Sequence, residues 1–310
     1  MKIGHISDIH WLDTSGSHFT DFLNKRISGG INLIAGRSRI HSKETAKNAL
    51  QTVRKEGCQH LIVTGDLTNL ALPGEFQGVK TVLNEFYRDD EMSIVPGNHD
   101  FYTGESARHR RFETMIYTTK PGNVDTGYDD TWPFVKIVEN TAIIGLNSAR
   151  PRPWFVAGGI LGSAQLDRLK KVLALPEIES KFKIVALHHH FVQVLKSPGE
   201  SLRNLKERRE LIEICQNGGV KLIVHGHNHD FTLCKAGDTV ISETGSCSVC
   251  KFHKDNRAGK FNIYDIEDNC LKSIQTWRFE DGCFRLWKTW QVSELPEFPG
   301  TPSPIWETQS

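Results

Sequence analysis

Ser93-Ile94-Val95-Pro96-Gly97-Asn98-His99-Asp100 is the stretch whose reading decides the fold. Ser93 to Val95 read as the end of a buried strand, which Pro96-Gly97 stops and turns. An amide, an imidazole and a carboxylate then stand side by side. Loops just past a strand end are where α/β proteins keep their chemistry. Gly97 lets the backbone turn tightly enough for Asn98 and His99 to enter one cavity. A structural turn would need only Pro-Gly-Asn; the added His-Asp asks for a chemical reason.

The same grammar recurs along the chain. Ile3 to Ser7 reads as a strand ending in Asp8-Ile9-His10, and His60 to Thr64 as one ending in Gly65-Asp66. Phe182 to Leu187 runs into His188-His189-His190, and Val220 to Val224 into His225-Gly226-His227-Asn228-His229. Helical patterns alternate with these strands: Ser42 caps one running to about Glu56, Pro73 opens a second, Leu166 to Leu173 mark a third, and a fourth runs from about Leu202 to Cys215. Phe134–Val138 and Thr141–Leu146 form a predicted hairpin. Alternating β and α elements place parallel strands with their C-terminal ends on one edge, so the five polar clusters are expected to meet.

Taken singly, each cluster has a plain explanation: Gly-Asp is a common turn, and His-x-His is usually surface or core. Together they place two carboxylates, one amide and at least four imidazoles at strand ends. That donor count is too large for one ion and suits two sharing a carboxylate. A mixed N/O set favours manganese, iron, zinc or cobalt over magnesium or calcium. Asp13, Asp125, Asp129, Asp130 and His253 lack such placement and read as surface.

Composition bounds the rest. The chain has 310 residues, 24% charged and 38% hydrophobic, with a formal net charge of +1. Such a balance gives no global electrostatic reason to expect a nucleic acid polymer as partner. Seven scattered cysteines, with Cys247 and Cys250 the single C-x-x-C pair, fit buried thiols in a reducing cytoplasm better than a disulfide framework. The opening residues are too short and polar for a signal peptide, and no apolar run reaches membrane-spanning length.

Asp8-Ile9-His10, Gly65-Asp66, Gly97-Asn98-His99-Asp100, the His188 run and Gly226-His227-Asn228-His229 resemble, in order, the five motifs of the calcineurin-like metallophosphoesterases. The resemblance implies a four-layer αββα sandwich of two mixed sheets flanked by helices, with a dinuclear site at the strand C-terminal edge. It further implies that Asp8, His10 and His229 hold one metal, that Asn98, a histidine of the 188 run and His227 hold the other, and that Asp66 bridges them. His188 directly follows its strand and is the expected ligand, with His189 the alternative. Two such cations would acidify a bridging water and clamp phosphoryl oxygens. His99 is expected to serve the leaving oxygen, with Asp100 orienting its ring.

Gly65-Asp66-Leu67-Thr68-Asn69-Leu70 lacks the Asp-Arg-Gly of the family's protein phosphatases. With Asn98-His99-Asp100 it looks closer to the class III cyclic-nucleotide phosphodiesterases. The expected substrate is therefore a small phosphodiester or nucleotide. The expected organisation is a phosphoesterase domain over 1–292, with an 11–41 insertion acting as a lid, a β-rich 231–292 segment completing the second sheet, and a loose tail at 293–310. Within the insertion, Phe19, Phe22, Leu23 and Ile27 share a helical face beside Lys25 and Arg26. An ordinary lid is one reading of that segment. A sharper one makes 19–39 an amphipathic cap meeting a membrane surface or a lipid-linked diphosphate, as in lipid A precursor pyrophosphohydrolases. A third alternative, of another class, is an inactive metal-binding interaction scaffold.

Overall fold

Parallel strands covered on both faces are mostly apolar, and the buried polar residues of the first three strands pair among themselves, His5 with Thr64 at 2.8 Å and His60 with Ser93 at 2.9 Å. β1 (Lys2–Ile6) is followed by α1 (Lys43–Lys55), β2 (His60–Thr64), α2 (Pro73–Phe86) and β3 (Met92–Val95). Every residue of β2 and β3 is buried. Ser42 caps α1, its side chain accepting from the Thr45 N–H at 3.3 Å. The computed structural model describes residues 1–13, 40–102, 104–152, 156–191, 203–250 and 258–298. The 19–39 segment read as a lid or amphipathic cap lies outside the described residues, as do His253 and residues 299–310 of the tail.

Two short helices, α3 (Gly104–Arg108) and α4 (Arg111–Ile116), occupy a stretch too polar to show a period, anchored by buried Phe112 and Ile116. The hairpin β4 (Phe134–Val138) and β5 (Thr141–Gly145) follows, then α5 (Ser163–Leu173), α6 (Pro176–Glu179) and β6 (Phe182–Ala186). The next helix, α7 (Arg208–Asn217), begins later than expected. Residues before it are spent on loop pairing, with the Leu205 N–H donating to His190 O and that of Lys206 to Gly159 O. β7 (Val220–His225), β8 (Thr232–Ala236), β9 (Thr239–Glu243), β10 (Lys260–Glu267), β11 (Cys270–Glu280) and β12 (Cys283–Trp290) complete the order.

These strands form two six-stranded mixed sheets, ordered β12-β11-β10-β1-β2-β3 and β4-β5-β6-β7-β9-β8, flanked by helices as an αββα sandwich. Ile143, Ile184 and Leu222 share a core with Ile3 and Leu61 of the other sheet. Their chain neighbours Ile144, Val185 and Ile223 instead pack with Leu166 and Leu169 of α5 and Leu211 of α7. This period-two alternation is what separates an inter-sheet core from a sheet–helix core.

The β-rich segment after residue 231 does not complete the second sheet alone. β8 and β9 join it, but β10 to β12 join the first, with β10 antiparallel to β1 from Lys2↔Asp265 to His5↔Asn262. β1 pairs with β2 on one side only, and its other edge of backbone groups needs a partner, which β10 supplies. Residues 293–298 are also not loose. Leu295 and Phe298 are apolar and buried, and the Phe298 N–H donates to Lys235 O at 2.7 Å. Among the described residues no helix is long and apolar enough to cross a membrane.

Candidate metal centre

The C-terminal ends of β1, β2, β3, β6 and β7 carry all seven expected ligands to one edge. Their loops are clasped by the backbone: the Asp8 N–H donates to Gly65 O at 3.0 Å, that of His10 to Asp66 O at 2.9 Å, and that of Gly226 to His188 O at 3.1 Å. Five of the seven, Asp8, His10, Asp66, His227 and His229, have left-handed φ between 49° and 88°. Such conformations cost a non-glycine residue on the order of 1–3 kcal/mol and cluster where function demands a side-chain direction. Close approach explains two glycines. A Cβ on Gly97 would lie 2.2 Å from Asp66 Oδ1, and one on Gly226 1.9 Å from Ser7 Oγ.

Two donor groups emerge. In the first, His10 Nε2 and His229 Nε2 lie 2.9 Å apart, and His229 Nε2 is 3.3 Å from Asp8 Oδ1. In the second, His188 Nε2 lies 3.4 Å from Asp66 Oδ2, 3.2 Å from Asn98 Oδ1 and 3.1 Å from His227 Nδ1. Asp66 Oδ2 is also 3.9 Å from His10 Nε2, so this carboxylate stands between the groups. His188 Nδ1 donates to Thr64 O at 2.7 Å, which leaves the Nε2 lone pair facing the acceptors of Asn98 and Asp66. Lone pairs converging in a buried place need a cation among them. Asp8 Oδ1, buried and accepting no hydrogen bond, makes the same demand in the first group. The residues therefore fit two ions of the borderline N/O-binding class.

The local field agrees. Burial alone would suppress a charge on His188, but Asp66 and then Asp8 draw its pKa up to about 9. Burial opposes the Asp66 carboxylate too, yet His188 and His99 hold it below the ordinary carboxylate range. A buried imidazole made that basic marks strongly negative potential, which a cation would occupy.

His188 and not His189 faces the donor cluster; His189 Nδ1 instead meets Ser148 Oγ at 2.8 Å. The backbone N–H of His99 donates to Asp66 Oδ1 at 2.8 Å. Its ring stacks on Tyr102 with centroids 5.4 Å apart and brings a nitrogen within 4.8 Å of His10 and Asp66. Asp100 does not orient that ring. His99 Nδ1 donates to Asn69 O at 2.7 Å, while the Asp100 carboxylate accepts from the N–H groups of Gly97, Leu67 and Thr68 and from Thr68 Oγ1. Asp100 thus clamps the β2 loop to the β3 loop. Its reach is taken up by donors on its own turn and on the β2 loop, so the neighbouring imidazole finds a carbonyl instead. Burial and the charge of Asp66 push Asp100 up to about 7.

Three participants escaped the sequence. Asn69 acts through its backbone carbonyl, which carries no motif. Ser148 holds His189. His41 brings a ring nitrogen within 4.8 Å of those of His10 and His229, from a position with no strand-end signature. Among residues read as surface, Asp130 pairs with Arg168 at 2.7 Å and Asp13 with Lys43 at 3.7 Å.

An αββα sandwich with this metal-binding site at its strand ends is compatible with dinuclear phosphoesterase chemistry. The chain belongs to the calcineurin-like phosphoesterase family, whose model matches residues 1–231. It is 25% identical over 214 residues to a "Probable cyclic nucleotide phosphodiesterase" of Psychrobacter arcticus, covering 67% of this chain and 71% of that protein. A dimetal phosphatase from Danio rerio superimposes with a TM-score of 0.61 at 12% identity, over 94% of this chain and 98% of the other. GAP50, the anchor in the inner membrane complex of Plasmodium, gives 0.56 at 15% identity over 94% and 88%. At such identities the two structures speak for the fold alone.

Proposed function

We propose that the protein is a metal-dependent phosphodiesterase acting on a small phosphodiester of cyclic-nucleotide type. The observation that carries this is the convergence of two N/O donor groups around Asp66 with His99 beside them. The resemblance over 214 residues to the Psychrobacter arcticus protein supports the diester class. The catalytic unit is taken as residues 1–298, the packed 293–298 segment included.

In this reading Asp8, His10 and His229 hold one ion, Asn98, His188 and His227 the other, and Asp66 both. Manganese, iron or zinc suit such donors. When bound, two such ions supply Lewis acidity toward phosphoryl oxygens and an acidified water as nucleophile. Thr64 O fixes the His188 tautomer so that Nε2 faces inward. Asn69 O does the same for His99, leaving Nε2 as the atom that hands a proton to the leaving oxygen. Tyr102 keeps that ring from turning away.

The test is hydrolysis by the purified protein, with metals assayed in parallel. Bis-p-nitrophenyl phosphate and 3′,5′-cyclic nucleotides are expected to be hydrolysed in preference to monoesters. Protein loaded with two equivalents of metal that leaves every diester intact would refute the proposal.

A further inference from the structure

We propose that His41 is an additional ligand of the ion assigned to Asp8, His10 and His229, so that this position offers three imidazoles and the other two. The inference rests on the two-ion reading above and concerns a residue outside the five family motifs.

His41 directly precedes the residue that caps α1, and its backbone is fixed on both sides. The Ser42 N–H donates to Ser248 O and the Cys250 N–H to Ile40 O, each at 2.8 Å, with His41 bridged antiparallel to Val249. Its ring lies 4.6 Å from that of His10 and 5.3 Å from that of His229, centroid to centroid, and the three bring ring nitrogens within 4.8 Å of one another. His41 Nδ1 is 2.7 Å from Ser248 Oγ, a buried hydroxyl that itself donates to Asp8 O at 3.2 Å. Ser246 Oγ joins the same network, donating to Asp8 O at 2.6 Å and lying 3.4 Å from His41 Nδ1; with the Ser248 hydrogen also directed to Asp8, His41 Nδ1 is the donor and the lone pair rests on Nε2. This is the device seen at His188, where Nδ1–H is anchored and Nε2 serves the cluster. A histidine that merely packed against His10 would have no need of a buried hydroxyl at Nδ1. The hydroxyl that fixes it also touches the residue supplying a carboxylate to the same ion.

The consequence is an asymmetric pair. With Asp66 shared, a position with three imidazoles and the Asp8 carboxylate is richer in nitrogen than one with two imidazoles and an amide oxygen. It should favour cobalt or zinc over manganese more strongly.

Cobalt(II) titration of the chelator-stripped protein, followed by calorimetry and by visible absorption, tests this without recourse to activity. The parent should take up two equivalents. His41→Ala and His41→Phe should each retain one equivalent at parent affinity and weaken the other by at least about ten- to a hundredfold, the loss seen when only an outer partner of a ligand is removed. The cobalt bands should shift in position or intensity with the change in coordination. His41→Phe keeps a packing ring without nitrogen, so recovery of parent affinity and spectrum in that variant would overturn the proposal. Circular dichroism confirms that the variants are folded. A parent that binds fewer than two equivalents would instead overturn the two-ion reading itself, which separates the two failures.

Discussion

Gly97→Ala isolates how tightly the β2 and β3 loops are pressed together. Gly97 lies outside the left-handed region, so alanine brings no backbone strain and acts by bulk alone. Its Cβ would lie 2.2 Å from both the Asp66 nitrogen and Asp66 Oδ1, where ordinary contact begins at 3.4 Å. The loops must therefore part by about 1.2 Å, and the atom displaced belongs to the carboxylate between the two donor groups. Overpacking of this kind costs about 1–3 kcal/mol of stability. A displacement of about 1 Å at reacting groups costs on the order of a hundredfold in rate. The assay is kcat/KM on bis-p-nitrophenyl phosphate beside metal stoichiometry and thermal midpoint. Gly104→Ala is the control, because its Cβ meets nothing within 4 Å. Gly97→Ala with metal content, midpoint and rate within twofold of the parent would refute the reasoning.

Asp66→Ala should lose both metals, since its Oδ2 faces both donor groups; full metal content by elemental analysis would count against a bridging role. His99→Ala should keep its metals while the rate falls by about two to four decades, and the loss should shrink with a nitrophenolate leaving group. Equal losses for good and poor leaving groups would argue against proton donation. His60, far from this chemistry, is buried against Ser93 Oγ, and burial, with Lys136 adding to it, lowers its pKa from 6.5 to about 3. The unfolded chain therefore binds a proton that the folded one refuses, and this contribution to stability is whole above about pH 6.5 and lost as pH falls toward 3. Urea unfolding of His60→Gln should show a shallower loss between pH 7 and 4; parallel curves for variant and parent would dispose of the assignment.

Side chains whose chemistry coincides with strand ends were readable in advance. Asp8, Asp66, Asn98, His188, His227 and His229 stand where a strand's apolar run stops, and the structure brings them together. Contacts made through the backbone were not readable. Asn69 matters through its carbonyl, and Asp100 turned from the imidazole to the backbone N–H groups of Gly97, Leu67 and Thr68, none of which leaves a trace in side-chain type. His41 is brought in by a bridge to Val249, some two hundred residues away, and only the tertiary fold contains that information. Sheet membership failed for the same reason. Alternation marks β10 to β12 as strands but does not say which edge they will seek.

The pairing of β1 with β10 bears on how the protein is made. Ile3 neighbours His60 on one side and Tyr264 on the other, so the second neighbour of the strand leading to Asp8 is synthesised about two hundred residues after the first. At about 5–20 residues per second, the ribosome needs roughly 10–40 s to pass from one to the other. Throughout that interval β1 carries an open, apolar edge able to pair with another nascent chain. The part of the chain matched by the family model ends at residue 231, before β10. A fragment cut there would keep every motif histidine and yet leave β1 in its nascent condition, prone to aggregate and unable to fix Asp8.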